Sequence, residues 1–442
     1  MRRPAARPDA TAPSHWAATA LPAPELPTLR GAISADIVVV GAGFSGLSTA
    51  LTLAEAGADV VVLEAQTVGF GASGRNNGQV IPVLTRLAPD AMETRYPARG
   101  ADGIRVGERF AALVRDSAGT LFDTVRRHDL AAEAEQTGWL QPVHTPGRLR
   151  IAQERFAAWQ ARGADVALLD AEEMRARLGS PLYFGGIRMA SGGHVNPLAL
   201  AREMARAAAG KGARIFVESP VHEANESGGK WRLATAQGSV IADTVIVATN
   251  AYTGEAWPAL ARSVVPVTSW QMATAPLPQD ARAAVLPNRE AASDTRGDLR
   301  FFRPTADGRL VTGGALMVND GGENRIAEMV RARLVETFPQ LAGIAIDTVW
   351  NGYIGMTPDF APRIVTLGRG AYGWIGCNGR GVALSVALGR ELARMVLGED
   401  RAHLALPFED PAPIAFHALT RRVAPFMLAR YRWRDSREIA AG

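Results

Sequence analysis

A strand, a glycine-rich turn, a helix and a second strand ending on an acid fill residues 36–64, and this unit constrains the chain more than any other feature. Asp36–Val40 is a β-branched run of the kind buried in a parallel sheet. Residues 44–57 are helix formers closed by Gly57, and residues 59–63 form a second apolar strand. Between the first strand and the helix lies Gly41-Ala42-Gly43-Phe44-Ser45-Gly46, and the second strand leads into Glu64 and Ala65. A glycine triplet alone is weak; in a β-α-β unit with an acid after the second strand it predicts a dinucleotide site. Gly41 permits the tight turn, Gly43 lets the backbone approach a pyrophosphate, and Gly46 lets helix and strand pack closely. The helix N-terminus points its free N–H groups at the phosphates. Glu64 can accept from ribose hydroxyls and repels a 2′-phosphate. NAD and FAD satisfy this turn equally.

The length, 442 residues, predicts more than one domain. Residues 69–79 are dense in Gly, Ser and Asn, a composition that brings backbone close to a ligand. Residues 99–127 read as a long amphipathic helix, Asp170 as a helix start, and Leu198–Ala209 as a helix followed by a strand at Arg214–Val217. Residues 231–249 read as a hairpin and then a separate apolar strand, and residues 264–318 as an antiparallel sheet. In that sheet, Asp307-Gly308 turns a hairpin between Phe301–Arg303 and Leu310-Val311. Gly373–Gly381 leads into a helix over Val382–Leu397. The tail beyond Pro407 is amphipathic and is expected to pack on the body.

Hydrophobic residues make up 47% of the chain and charged residues 21%, a globular balance. The net charge of +4 (48 basic, 44 acidic) is small for this size and not clustered with aromatics, so nucleic acid is not an expected partner. One cysteine, Cys377, excludes an intramolecular disulfide, and dispersed histidines give no expected metal site. The cysteine count suits a cytoplasmic setting. Arg2-Arg3 is not followed by an apolar export segment, and no stretch is long enough for a membrane span. Residues 1–30, rich in Pro and Ala, read as an arm.

The segment Gly69-Phe70-Gly71-Ala72-Ser73-Gly74-Arg75-Asn76-Asn77-Gly78-Gln79 decides between the dinucleotides. With it, the chain resembles the D-amino acid oxidase-like superfamily of FAD enzymes, which includes glycine and sarcosine oxidases. The same run, His15–Ala20 and Tyr431–Asp435 resemble its gamma-glutamylputrescine oxidase branch. The resemblance spans about residues 14–436. It implies an α/β FAD-binding Rossmann-like domain plus a smaller α+β substrate domain with a mainly antiparallel sheet. The expected division is an arm at 1–30, an FAD domain at 31–88, 185–262 and 341–400, a substrate domain at 89–184 and 263–340, and a tail at 401–442.

By that resemblance the cofactor contacts comprise Gly41, Gly43, Phe44, Ser45, Gly46, Glu64 and Ala65 in the first unit, and Ala72, Ser73, Arg75, Asn76, Asn77, Gly78 and Gln79 in the second. They continue with Val221 near the adenine, Ala248, Thr249 and Asn250 at a strand end, Gly352, and Gly376, Asn378, Gly379, Gly381 and Val382. Two departures stand out. Arg380 replaces the histidine many relatives carry, and would stabilise a negatively charged reduced flavin or bind a substrate carboxylate. No cysteine lies at Gly352 or Tyr353, where sarcosine oxidases bond the flavin, so non-covalent FAD is expected. Cys377 reads as a small buried residue.

The resemblance implies oxidation of an amine C–N bond by hydride transfer to flavin N5, hydrolysis of the imine, and O2 as acceptor giving H2O2. A gamma-glutamylated amine, or a related polyamine or secondary amine, is the implied substrate. Arg380, Trp270 and Tyr353 are the expected catalytic residues, and Gln271, Arg303 and Met356 the expected substrate contacts. For Trp270 and Met356 a plain core position is the competing reading, and for Arg303 a surface ion pair. Relatives carry a lysine for oxygen chemistry, and Leu310–Gly314 has none. A dehydrogenase with another acceptor, an NAD-dependent enzyme or a non-catalytic flavin-binding subunit are the alternatives. Oligomeric state is open.

Overall fold

Ile37, Val38, Val39 and Val40 are all buried, so the strand Gly31–Val40 can only lie inside a sheet. In the computed structural model, which describes residues 13–84, 86–96 and 100–441, it runs parallel to Val60–Leu63 on one side and Gly238–Val247 on the other. Alternation splits its side chains between two cores. Ile37 and Val39 face the helices Phe44–Glu55, Pro197–Gly210 and Gly381–Val396, whereas Val38 and Val40 face a cluster with Trp231, Leu233, Trp257 and Leu260. The complete sheet has nine strands. One edge of its main path is Arg214–Phe216, and the other runs through Ala371–Ile375 and Arg363–Gly368 to Phe408–Glu409.

A second sheet has eight strands. From one edge they are Ile346–Met356, Val265–Thr274, Leu310–Gly314, Phe301–Pro304, Ala291–Ser293, Trp139–Pro142, Gly186–Met189 and Val166–Leu169. All neighbours are antiparallel except Ala291–Ser293 beside Trp139–Pro142. One face, carrying Leu140, Ala292, Phe302 and Leu310, packs on the helices Ala171–Leu178, Gln279–Ala284 and Glu323–Thr337. The helix predicted at Asp170 starts there with a capping box: the Asp170 carboxylate accepts from Glu173 N at 2.9 Å, and the Glu173 carboxylate from Asp170 N at 2.9 Å. The hairpin read at Asp307-Gly308 joins two paired strands, with Gly308 at φ 78°.

Several boundaries shift from the expectation. Gly186–Met189 and Ile346–Met356 belong to the second sheet, so the segments expected to start the first domain at 185 and 341 contribute a strand elsewhere before they enter it. The helix Gly100–Arg127 lies in the segment expected to form the substrate domain, yet its Phe110, Val114 and Leu121 share the core of the helix Gly381–Val396 beside the first sheet. Gly238–Val247 is one continuous strand, hairpin partner at its start and parallel partner throughout, rather than a hairpin followed by a new strand. Phe408–Glu409, expected in the tail, pairs with Arg363–Gly368.

The tail packs on the body only in part. The Asp435 carboxylate accepts from Gly297 N at 2.8 Å and Asp298 N at 3.0 Å, and Arg148 holds Glu438 through two N–H groups. Phe416, Leu419, Phe426 and Trp433 stay more than half exposed. Of the arm, residues 1–12 lie outside the described residues; Trp16 is fully buried. Among the described residues no helix is long and apolar enough to cross a membrane.

Candidate functional site

The turn after the first strand is shaped by what a side chain would strike. Gly41 has φ 107°, and a Cβ there would lie 3.1 Å from Ala248 O. A Cβ on Gly46 would lie 2.0 Å from Gly41 O, and one on Gly43 would lie 2.8 Å from Ser73 Oγ. Gly43 caps the helix Phe44–Glu55, whose first amide, Phe44 N, donates to Ser73 Oγ at 2.9 Å. Ser45 Oγ accepts from Trp374 Nε1 at 2.6 Å. The Glu64 carboxylate accepts from Ala42 N at 2.8 Å and Gln66 N at 2.9 Å. Burial raises its pKa against the pull of the Ala42, Gln66 and Ala65 amides. Each oxygen retains a further lone pair. Ser219 N donates to Glu64 O at 2.8 Å, which brings the Ser219–Val221 loop beside the acid, while Ala65 is exposed.

The second segment crosses this turn. Ala72–Gly74 is a short 3-10 helix; beyond it the Asn76 side chain accepts from Gly78 N at 2.7 Å, and the Asn77 side chain from Gln79 N at 3.0 Å. Three consecutive carbonyls are held by three separate donors. Trp350 Nε1 donates to Arg75 O at 2.9 Å, Trp16 Nε1 to Asn76 O at 2.8 Å, and Arg303 Nε to Asn77 O at 2.8 Å. Gly78, at φ 78°, leaves no room for a Cβ, which would sit 2.2 Å from Val195 O.

A third group comes from strand ends and the last long helix. Ala248 N donates to Val40 O at 2.9 Å, and Thr249 Oγ1 lies 2.8 Å from Thr253 Oγ1. Asn250, left-handed at φ 43°, accepts from Gly376 N at 3.1 Å and closes against Gly355. Asn378, at φ 48°, ties Thr357 N and Gly376 O to its side chain. Gly352 lies against Arg75, whose Nη1 donates to Asn351 O at 3.0 Å, and against the Tyr252 hydroxyl, which accepts from Tyr353 N at 3.0 Å. Cys377 is buried, with Sγ 3.7 Å from Gly355 O. Arg380 caps the helix Gly381–Val396, and Val382 is buried in its first turn.

Arg380 also meets the second sheet, its guanidinium carbon 5.9 Å from the Trp139 ring centroid. By pairing and alternation, the sheet face turned this way carries Trp139, Gln141, Ser293, Phe301, Arg303, Gly313, Gln271 and Trp350. Trp139 Nε1 donates to Ser293 Oγ at 3.0 Å, and Arg155 Nη1 to Gln141 Oε1 at 2.5 Å. Among the described residues, buried polar atoms on or facing this side of the sheet lack hydrogen-bond partners: Arg380 Nε and Nη2, Gln141 Nε2, Gln271 Oε1 and Gln79 Oε1. Burial, helped by the charges of Arg155 and Arg86, lowers the Arg380 pKa to about 10.

The remaining expected residues divide, some on this face and some not. Trp270 lies on the opposite sheet face, with Met272 against Ile326 and Val330, and donates to Asn319 Oδ1 at 2.8 Å. Alternation sends it there, so the structure keeps it apart from Arg380. Arg303 is no surface ion pair: it is 1% exposed, bound to Asn77 O and His194 Nδ1, with Trp16 beneath it. Burial drops its pKa to about 9. Gln79 turns its amide to Ala292 O at 2.9 Å and Phe302 O at 3.1 Å, bridging to the second sheet. Tyr353 is half-buried beside Tyr252, and Met356, also half-buried, lies by alternation on the face of Trp350 and Gly352. Sequence reading missed Trp139, Gln141, Arg155 and Ser293. For Trp139 and Gln141 the only local signal is the Trp-x-Gln alternation of a strand, and Arg155, in a helix, and Ser293, in another strand, carry none.

A mixed sheet whose parallel centre opens on a glycine cradle closed by an acid, backed by a second sheet facing a helix N-terminus, has the architecture expected of a dinucleotide-dependent oxidoreductase. The pattern of the FAD dependent oxidoreductase (DAO) family matches residues 36–395, and the chain belongs to that family. It is 33% identical to gamma-glutamylputrescine oxidoreductase of Escherichia coli (strain K12), over 87% of this chain and 89% of that one. It is 31% identical to the probable oxidoreductase OrdL of Haemophilus influenzae, over 85% and 86%. In fold it resembles the crystal structure of glycine oxidase from Geobacillus kaustophilus, at TM-score 0.66 and 20% identity, covering 83% of this chain and 96% of that one. The protein is thus an FAD-dependent oxidoreductase.

Proposed function

We propose that the protein oxidises the C–N bond of an amine that also carries a carboxylate, of the gamma-glutamylated amine kind, with O2 as acceptor. The glycine cradle, Glu64, Ser73 and the amides of the first helical turn fit the pyrophosphate and ribose of FAD; the Ala72–Gln79 segment, Asn250, Gly352 and the Gly376–Val382 loop fit the remainder. Bound FAD supplies the two-electron acceptor. Loss of a hydride equivalent from the amine's α-carbon leaves an imine, which water splits into a carbonyl compound and an amine. The chain's part is placement and exclusion of water.

The observation that carries the substrate reading is the guanidinium of Arg380, buried with Nε and Nη2 unpartnered beside a second arginine's hydrogen bond to Gln141. A buried cation with free donors is costly unless an anion meets it. A substrate carboxylate is that anion, and the 33% identity to a gamma-glutamylputrescine oxidoreductase supports the class. The same guanidinium, at a helix N-terminus, equally favours negative charge on the reduced cofactor.

The test is anaerobic bleaching of the flavin by paired amines with and without the carboxylate, then aerobic peroxide detection. Arg380→Met is expected to cost the carboxylated amine on the order of 100-fold in kcat/KM and its carboxyl-free analogue little. Equal losses on both would remove the carboxylate reading and leave the reduced cofactor as the anion. Dye reduction without peroxide would select an acceptor other than O2. That alternative draws support from the stretch Leu310–Gly314, which carries no lysine.

A further inference from the structure

We propose that Trp16, in the N-terminal arm, is a positioning residue for the cofactor. This rests on the reading that the Ala72–Gln79 segment lines bound FAD. The helix His15–Thr19 is far too short to persist alone, so it is held by what it touches. Asn196 Nδ2 donates to Thr19 Oγ1 at 3.0 Å, and Ser14 and His15 are buried. Trp16 itself is 0% exposed. Its ring stands edge-on to Trp350 with centroids 5.8 Å apart, and the Arg303 guanidinium lies 4.5 Å from its centroid.

These three side chains are the donors that fix the carbonyls of Arg75, Asn76 and Asn77. A planar trans peptide points its N–H opposite to its carbonyl. The Trp16 bond to Asn76 O therefore directs the Asn77 N–H away from the arm. That N–H donates to no acceptor among the described residues, whereas its neighbours Asn76 N and Gly78 N are both occupied. One free backbone donor is thus aimed, by a residue outside both sheets, along the segment assigned to the cofactor. Gly78 follows with no room for a side chain, packed against Val195 O and the Arg303 guanidinium, so the backbone that carries this N–H is held in place. An N–H so placed favours electron density on the cofactor, and the arm thereby tunes its reduction as well as its binding.

Trp16→Phe keeps an aromatic ring at this buried position and deletes the indole N–H together with the pyrrole ring. Its apoprotein, titrated with FAD, is expected to bind roughly 3- to 10-fold more weakly, and the midpoint potential of its bound flavin to fall. KM for the amine is expected to stay within about twofold while kcat drops. A lower apoprotein melting temperature with unchanged FAD affinity and unchanged potential would overturn the proposal, since a purely structural tryptophan predicts that result. Ser73→Ala, run in parallel, separates the two readings. If it too leaves FAD affinity unchanged, the assignment of the segment has failed; if it weakens FAD while Trp16→Phe changes neither affinity nor potential, only the role of Trp16 has.

Discussion

Gly46→Ala tests the cradle at its tightest point. The added Cβ would lie 2.0 Å from Gly41 O and 3.2 Å from Val39 Cγ1. Ordinary carbon contacts sit near ~3.5 Å, so helix and strand must separate by more than about 1 Å. Neither side can yield locally: Gly41 O is backbone, and Leu47, Ala50 and Leu51 on the helix are at most 2% exposed. Overpacking of this kind costs about 1–3 kcal/mol, a fall in melting temperature on the order of 5 °C. The same separation draws the first-turn amides off the pyrophosphate. Losing one or two hydrogen bonds to a charged group, at about 1.5–3 kcal/mol each, weakens FAD by at least roughly 10-fold. Fluorescence titration of the apoprotein measures the affinity and calorimetry the stability. Gly254→Ala, where a Cβ meets nothing within 4 Å, is the control and changes neither. A Gly46→Ala protein that binds FAD as tightly as the parent would show that the cradle is not the pyrophosphate site.

Three further outcomes are expected. Acid precipitation should leave the flavin in the supernatant, because Gly352 and Tyr353 offer no thiol and Cys377 is buried; yellow pellet would contradict this. Gly119→Ala, inside the helix Gly100–Arg127 with open space around the new methyl, should stabilise by about 0.5–1 kcal/mol in thermal unfolding. His194 accepts from Arg303 at Nδ1 and is held well below its ordinary pKa by burial and that cation, so it is neutral when folded. The unfolded chain then binds the extra proton below about pH 6.5, and stability present above that value is lost as pH falls, by up to about 1.4 kcal/mol per unit. His194→Asn, which keeps an acceptor but cannot titrate, should flatten that part of the melting temperature profile; an unchanged slope would acquit His194.

What the sequence disclosed and what it hid divide along physical lines. The glycine turn, the capped helix at Asp170 and the Asp307-Gly308 hairpin were legible because each is set by neighbours in the chain. Domain edges were misplaced at Gly186–Met189 and Ile346–Met356 because an apolar strand does not announce which sheet it joins. Arg303 looked like a surface cation, and its burial depends on Asn77, His194 and Trp16, none of them near it in sequence. Trp270 and Gln271 were grouped as site residues, yet adjacent strand positions point to opposite faces, and only the packing of Ile326 and Val330 reveals which face is which. Trp139, Gln141 and Ser293 escaped for the same reason.

The central strand Gly31–Val40 pairs residue for residue with Gly238–Val247. During synthesis that partner emerges roughly 200 residues later, on the order of 10–40 s at ordinary elongation rates. Until then the newborn chain presents Ile37–Val40 as a bare apolar edge, the kind of template that recruits other chains. The loop at Gly376–Val382, proposed to hold the cofactor, comes later still, and on that proposal cofactor uptake belongs to the nearly finished polypeptide. The yield of active protein should accordingly respond to elongation speed and to chaperone supply more than to the concentration of free FAD.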